Sequence, residues 1–200
     1  MLYSKWTLWY TYCMEKMLLE KRTIFSTNIL GYYLDIDNYD TLKKRIYRLT
    51  KGNKLTRLKR GLFYITLKDY SKYECANFLY PPSYVSFETV LQLSGFIFQP
   101  YTSIFSAAIR NKKYFVDNTK YIYRKIDKEI LVNIKGIEKR KNYFIATPER
   151  AVLDMIYVNE NFYFDNLRNL DFEKAKYLSS IYKDNKKILY NLNILKKQYA

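Results

Sequence analysis

The sequence contains no histidine and only two cysteines, Cys13 and Cys75, which lie far apart. Without histidine, neither a Ser-His-Asp triad nor a Cys-His pair can form, and the common zinc sites lose one of their usual ligands. We therefore expect no metal site and no cofactor. We interpret both cysteines as buried free thiols of a reducing compartment rather than as a disulfide.

Glycine and long apolar runs are also scarce. Five glycines in 200 residues do not supply the glycine-rich loop that cradles phosphate groups. No stretch reaches the roughly 18 apolar residues of a membrane-spanning helix. The aromatic N-terminus carries Lys5, Glu15 and Lys16 and has no small-residue cleavage site, so a secretory signal is not expected. We predict a cytoplasmic protein with no membrane partner.

Clustered acidic residues, which a metal-dependent nuclease needs, are missing as well. Asp117, Asp127 and Glu129 lie in one strand-rich region, but no Glu-x-Lys companion accompanies them. We interpret these three side chains as surface charge. Together with the missing histidine, this pattern predicts that the protein is not an enzyme.

What the sequence has in excess is positive charge. The formal net charge is +16, which indicates a polyanionic partner, either nucleic acid or an anionic membrane surface. From Thr41 to Lys68 there are ten basic residues and no acidic one, so this window of 28 residues carries +10 of the +16. An acid-free window of this length favours a binding surface over a merely solvated face.

Apolar periodicity predicts helices and a hairpin in residues 1–69. Helices are expected over about 3–21, 27–34 and 39–51, with Ser26 or Thr27 capping the second and Asn38 or Asp40 the third. Leu42, Ile46 and Leu49 form the buried face of the third helix, and Gly52 ends it. Strand-like segments at 55–58 and 62–66 flank a turn at 59–61.

This order of elements is that of a winged helix-turn-helix domain. A helix about 20 Å long fits the major groove, where its outward side chains meet phosphates and base edges. A basic hairpin can reach the adjacent backbone or the minor groove. The candidate DNA-binding residues are Thr41, Lys43, Lys44, Tyr47, Arg48 and Lys51 on the helix, and Arg57, Lys59 and Arg60 on the hairpin.

Residues 70–200 have a more balanced composition, and we predict a mixed α/β C-terminal domain with antiparallel strands and terminal helices. Helices are expected near 71–80, 87–93, 172–182 and 186–199, and another begins at Thr147-Pro148-Glu149. Segments 121–126 and 130–134 are the clearest strands between 104 and 146. Ser86 is predicted to cap the helix at 87–93. The fold class is therefore α+β.

Glu149, Arg150 and Asp154 are charged residues in the helix that begins at Thr147. We favour a structural role for them, either capping or an internal ion pair. Contact with a partner is the alternative.

Three groups of segments, taken in their order along the chain, form a pattern that is specific enough to indicate a family. They are Leu58-Lys59-Arg60-Gly61-Leu62-Phe63-Tyr64, then residues 82–91 with 94–97, and then Ala146-Thr147-Pro148-Glu149-Arg150-Ala151-Val152-Leu153-Asp154. Over about 23–157 the sequence resembles the AbiEi-type antitoxins of bacterial type IV toxin–antitoxin systems, which act in abortive infection and phage defence. The resemblance implies a winged helix that binds inverted repeats in its own promoter. It also implies a C-terminal antitoxin domain that counters a nucleotidyltransferase-like toxin.

The sequence therefore predicts a DNA-binding repressor of its own operon that is also an antitoxin. Its expected partners are double-stranded promoter DNA and a cognate nucleotidyltransferase-like toxin. Two alternatives stay open. One is a basic interaction protein that binds an acidic protein or an RNA. The other is a plain winged-helix regulator without a toxin.

Overall fold

The computed structural model describes residues 5–183 and 186–199, which form an α+β structure. The chain divides into two compact units, Met1–Phe78 and Leu79–Ala200. The division falls later than residue 69 because helix α4 (Lys72–Leu79), except for its last residue, belongs to the N-terminal unit. The Glu74 carboxylate accepts hydrogen bonds from the Thr23 N–H at 2.9 Å and from the Thr23 hydroxyl at 2.7 Å. Within the described residues, every helix is too short or too polar to cross a bilayer.

The N-terminal unit packs helices against a small sheet. Its other elements are α1 (Lys5–Leu19), β1 (Phe25–Ser26), α2 (Thr27–Leu34), α3 (Tyr39–Lys51), β2 (Leu55–Lys59) and β3 (Leu62–Ile65). The strands form an antiparallel sheet in the order β1-β3-β2. Residue 3, the predicted start of the first helix, lies outside the described residues. The short strand β1 was not predicted from the sequence.

Local capping determines where α2 and α3 begin. The Ser26 hydroxyl accepts the Ile29 N–H at 3.3 Å, and the Asn38 side chain accepts the Thr41 N–H at 2.9 Å. Both predicted caps are therefore confirmed. Helix α3 spans the predicted residues, and Leu42, Ile46 and Leu49 are its buried side chains.

Gly31 lies where α2 approaches the start of α3. A Cβ atom there would stand 3.2 Å from the Ile36 carbonyl oxygen and 3.2 Å from Leu42 Cδ2. The Gly31 carbonyl also accepts the Ile36 N–H at 3.0 Å. A residue without a side chain therefore allows the turn between the two helices to be short.

The C-terminal unit contains a mixed sheet with helices. Its elements are β4 (Ser83–Val85), α5 (Glu88–Leu93), β5 (Ile104–Ala108), β6 (Lys112–Val116), β7 (Thr119–Lys125), α6 (Lys128–Val132), β8 (Ile137–Arg140), β9 (Tyr143–Ala146), α7 (Pro148–Val158), α8 (Phe172–Ser179), a 3₁₀ turn (Ser180–Tyr182) and α9 (Lys186–Tyr199). The described strands lie in the order β6-β7-β5-β4-β9-β8.

The predicted antiparallel pairing is confirmed for three strand pairs of this sheet, but two other pairs are parallel. Strands β5 and β7 pair in parallel, and so do β4 and β9. Strand β6 lies at the sheet edge, beyond β7. The chain therefore reverses direction once between β5 and β6 and again between β6 and β7, which makes β7 parallel to β5. Period-two alternation indicates a strand but carries no information about the direction of its neighbour.

The predicted strand at 130–134 is also wrong, because Lys128–Val132 form helix α6. A strand would bury alternate residues. Here the consecutive residues Ile130 and Leu131 are buried, whereas Val132 and Ile134 are 61% and 80% exposed. Short apolar runs fit both periods, so burial decides between them.

Ser86 does not cap the following helix. Its hydroxyl donates a hydrogen bond to Asp154 Oδ2 at 2.7 Å. Phe87 occupies the N-cap position, with φ at 54°, and makes no side-chain capping bond. A distant carboxylate therefore binds the hydroxyl that the local pattern assigned to a helix end.

Gly136, just before β8, allows a test of this packing. Its φ is +72°, and an added Cβ would stand 3.0 Å from Arg150 Cβ and 3.0 Å from Leu178 Cδ1. We expect Gly136→Ala to lower the free energy of unfolding by about 2–4 kcal/mol, since the left-handed backbone and the overpacking both oppose it. Urea unfolding followed by circular dichroism measures this.

Gly95→Ala is the matched control, because Gly95 has φ +69° but no heavy atom within 4 Å of the added Cβ. It should incur only the backbone cost, about 1–2 kcal/mol. Equal losses in the two variants would contradict the contact with Arg150.

Candidate nucleic-acid interface

Helix α3 separates its apolar and basic side chains onto opposite faces. The buried face consists of Leu42, Ile46 and Leu49. At about 100° per residue, the opposite face lies at about 140° to 240° from Leu42. After the first turn of the helix, the exposed residues of that face are Lys44, Tyr47, Arg48 and Lys51. Tyr47 is 62% exposed, so its ring lies in solvent among cations.

Thr41 and Lys43 lie at the edges of this outward face, and both are exposed. The Thr41 N–H donates a hydrogen bond to the Asn38 side chain at 2.9 Å. Asp40 is exposed too, at about 160° on the same wheel. Its negative charge suits the start of a helix, so the cationic part of the face begins after the first turn. From the sequence Asp40 was considered only as a helix cap, and its place on the outward face was not predicted, although the same periodicity gives it.

The hairpin of β2 and β3 carries the other predicted contacts. Arg57, Lys59 and Arg60 are all exposed. The Arg57 guanidinium carbon lies 5.4 Å from the ring centroid of Phe63, its partner across the hairpin, so this arginine is held by a cation–π contact. Gly61 has φ +79°, which a tight turn favours.

Backbone hydrogen bonds fix this hairpin at both ends. At its base, the Lys54 N–H donates to the Leu49 carbonyl of α3 at 2.9 Å. At its tip, the Thr27 N–H at the start of α2 donates to the Gly61 carbonyl at 3.1 Å. Helix α3 and the hairpin therefore have one defined arrangement within the N-terminal unit.

Lys68 does not belong to the interface. Its ammonium donates to the backbone carbonyls of Leu18, at 3.1 Å, of Glu20, and of Arg22, at 3.5 Å. These carbonyls lie in the last turn of α1 and just after it, where positive charge is favourable. One of the ten cations of the basic window therefore has a structural role.

The charges on the outward face of α3 have no acidic partner in the part of the chain that the structure describes. No ion pair between described residues involves Lys44, Arg48 or Lys51. Exposed cations without internal partners are able to bind phosphate groups.

The charged residues that follow Thr147 behave in the opposite way. Arg150 is fully buried, and its Nε lies 3.3 Å from Asp154 Oδ1. Its terminal nitrogens donate to the Lys135 carbonyl at 2.9 Å and to the Ile130 carbonyl at 2.7 Å. A bond of 3.1 Å to the Tyr84 hydroxyl completes the set. Each nitrogen of the guanidinium therefore has a partner within the protein, and the group is not available to a ligand.

Asp154 is satisfied as completely. It accepts hydrogen bonds from Ser86 at 2.7 Å, from Tyr182 at 2.6 Å and from Tyr84 at 3.0 Å. Burial raises the pKa of both tyrosines well above the ordinary value, and the Asp154 charge raises it further. Burial opposes the charge of Arg150, but the attraction to Asp154 and the interactions with Tyr182 and Tyr84 together outweigh burial and raise the arginine pKa.

The remaining residues of this segment are also structural. The Thr147 hydroxyl accepts the Arg150 N–H at 3.3 Å and caps α7, as predicted. Glu149 is buried and lies 2.9 Å from the Lys174 ammonium. The structural interpretation of Glu149, Arg150 and Asp154 is therefore the one that the geometry supports.

The other residues considered for chemistry do not assemble into a centre. Among the described residues, no three Cys, Asp or Glu side chains come together in a way that could hold a metal ion. Glu129 forms an ion pair with Lys183. Cys13 and Cys75 are both buried free thiols, as the sequence analysis expected.

The fold is similar to that in the crystal structure of the RV2827C protein from Mycobacterium tuberculosis. The two chains are 10% identical, the match covers 93% of this chain and 81% of that one, and the TM-score is 0.52. At this identity the similarity concerns the fold alone. No protein-family model and no curated protein matches the sequence.

The buried pair leads to a clear expectation. Arg150→Ala should lower the free energy of unfolding by about 3–5 kcal/mol, because it leaves the Asp154 charge buried without its partner. Arg140→Ala is the control, since Arg140 pairs with Glu138 on the surface, where its side chain is 55% exposed. That change should have little effect. Urea unfolding compares them, and a similar small loss in both would show that the buried cluster is not essential to the fold.

Proposed function

We propose that this protein is a winged-helix DNA-binding protein that represses transcription of its own operon. Several features support this proposal. The N-terminal unit has the element order α1-β1-α2-α3-β2-β3 and the sheet order β1-β3-β2, which are those of winged helix domains. In this proposal α2 and α3 form the helix-turn-helix, α3 is the recognition helix, and the hairpin is the wing.

The observation that carries the proposal is the outward face of α3. A helix of 13 residues is about 20 Å long, which fits the width and depth of the major groove. Lys44 and Lys51 are suited to phosphates, because an ammonium is a compact point charge. Arg48 can pair with the O6 and N7 acceptors of guanine, and it is the residue we assign to base recognition.

The wing supplies contacts of another kind. Lys59 and Arg60 lie at the turn of a hairpin that is hydrogen-bonded to both α2 and α3. A rigid basic turn can contact the sugar-phosphate backbone beside the site of the recognition helix. Such contacts fix the position of the protein on the duplex and carry little sequence information.

The resemblance to AbiEi-type antitoxins extends the proposal to the C-terminal unit, which would counter a nucleotidyltransferase-like toxin. One observation links the two C-terminal segments that carry the resemblance. Tyr84 and Ser86 come from the matched segment 82–91, and Arg150 and Asp154 come from the matched segment 146–154. These four side chains bind one another in the buried cluster. The two motifs are therefore two halves of a single interaction.

DNA binding is tested by fluorescence anisotropy with a duplex from the region upstream of the gene and a scrambled duplex at equal salt. We expect preference for the upstream duplex. If about six phosphates are engaged, the affinity should fall by about 10³ across a fourfold rise in salt. Equal binding of both duplexes would favour the alternative, a basic interaction protein with an acidic or RNA partner.

The same assay tests the residues. Lys44→Ala should weaken binding to every duplex and lower the slope of log affinity against log salt by about 0.9. Arg48→Ala should instead reduce the preference for the upstream duplex by about 1–3 kcal/mol. Lys197→Ala, which removes an exposed lysine of α9, is the control and should change neither quantity. If Lys44→Ala also changes neither, α3 is not the recognition helix.

The antitoxin proposal is tested by co-expression with the neighbouring gene. If that gene encodes a growth-inhibiting nucleotidyltransferase-like protein, we expect the full chain to restore growth. Lys44→Ala should restore growth equally well, since the proposed toxin-countering function belongs to the C-terminal unit. Failure of the wild-type chain to restore growth would leave a plain winged-helix regulator.

A further inference from the structure

The hairpin of β6 and β7 forms a second basic surface, in the C-terminal unit, which the proposed function does not use. Residues 110–126 contain six basic residues and one acidic residue. The basic residues are Arg110, Lys112, Lys113, Lys120, Arg124 and Lys125. The acidic residue, Asp117, lies at the turn and not on the strands.

The strand register shows which of these side chains share a face. Lys113 pairs with Ile122 and Phe115 pairs with Lys120, and directly opposed residues project from the same side of a sheet. Arg124 follows Ile122 by two residues and lies on that side as well. We call this set the β6–β7 face. It consists of Lys113, Phe115, Lys120, Ile122 and Arg124.

The two sides of the hairpin differ in burial. Tyr121 and Tyr123 on the opposite side are 0% and 1% exposed. On the β6–β7 face, Phe115 is 72% exposed and both lysines are exposed. A cleft of about 680 Å³ adjoins the face, lined in part by Lys113, Ile122 and Arg124. An aromatic ring this exposed, with lysines beside it, is the combination found on surfaces that bind nucleic acids.

The inner end of the face is held rigidly. Arg124 forms an ion pair with the buried Glu88, and its guanidinium carbon lies 5.1 Å and 5.0 Å from the ring centroids of Phe87 and Phe105. Its side chain is still 28% exposed. At the outer end, Asp117 and Asn118 have φ of 46° and 56°, as a tight two-residue hairpin turn requires. The Arg124 guanidinium and the turn of the hairpin are therefore both held in place.

We infer that the β6–β7 face binds single-stranded nucleic acid. A base stacks on the Phe115 ring, and the ammonium groups of Lys113 and Lys120 contact the adjacent phosphates. Arg124 contacts the nucleic-acid strand where it enters the cleft. A duplex would not satisfy this site, because its base faces are already stacked inside the helix. Association of two copies through this face would bring their lysines together, which like-charge repulsion opposes.

The experiment is fluorescence anisotropy of the full chain with a labelled oligothymidylate or oligouridylate of about 12 nucleotides, a length within the site sizes of such surfaces. Excess unlabelled upstream duplex is added to occupy the α3 surface. Phe115→Ala should weaken binding of the single strand by about 5- to 150-fold, the range for loss of one base–aromatic stack. Phe115→Trp should retain binding.

Phe98→Ala is the matched control, because Phe98 is 69% exposed in the same unit. It should leave the affinity unchanged. Lys113→Gln and Lys120→Gln should each lower the salt slope by about 0.7, the value for one phosphate of a single strand. These two variants test the face even if Phe115→Ala unfolds, and circular dichroism verifies folding. Duplex binding without competitor should be unaffected, so failure of this inference is distinguishable from failure of the proposed repressor function.

Two results would overturn the inference. One is equal single-strand affinity for Phe115→Ala and Phe98→Ala together with unchanged salt slopes in the lysine variants. The other is a change of oligomeric state in Phe115→Ala, seen by sedimentation, with no change in affinity. That result would mark the face as a contact between copies of the chain.

Discussion

The C-terminal unit depends on one buried ion pair, Arg150 with Asp154. Two charges removed from water cost several kcal/mol each unless every polar atom finds a partner. This requirement is met by groups far apart in sequence: the hydroxyls of Tyr84, Ser86 and Tyr182, and the carbonyls of Ile130 and Lys135. A single pair on α7 therefore fixes β4, α6, the approach to β8 and the 3₁₀ turn. The glycine at 136 is consistent with the same constraint, since an added Cβ would stand only 3.0 Å from Arg150 Cβ.

Cations with a structural role in the C-terminal unit have acidic partners within it, whereas the cations of α3 that we propose bind DNA have none in the described part of the chain. Buried or half-buried cations such as Arg150 and Arg124 have carboxylate partners inside the C-terminal unit. The cations on the outward face of α3 have no ion pairs among the described residues. Self-repulsion of a chain with net charge +16 opposes folding. Unpaired cations concentrated on one helix face repel one another and reduce stability, and no ion pair that the structure describes compensates for this. We therefore propose that these cations bind an external anion.

The sequence predicted local features well and long-range ones poorly. The bounds of α3, its buried stripe and its Asn38 cap depend on residues within a few positions of each other, so periodicity and capping rules were sufficient. The role of Ser86 depends on Asp154, 68 residues away, and no local rule could find it. The β6–β7 face was missed because the net charge was averaged over the whole second half. Its signal, an exposed aromatic residue between lysines, requires the strand register to be known.

The residues that carry the family resemblance and those that carry the proposed DNA contacts are mostly different residues. Tyr84, Ser86, Arg150 and Asp154 are buried and bind one another, so the segments that carry the resemblance belong to the core of this chain. Tyr47 and Arg48 are exposed and lie outside every matched segment. Proteins with the same core are therefore free to differ at the outward face of α3, because changing an exposed side chain there costs little stability. The resemblance bears on the kind of protein that we propose, whereas any sequence preference of the proposed DNA contacts depends on the outward face of α3.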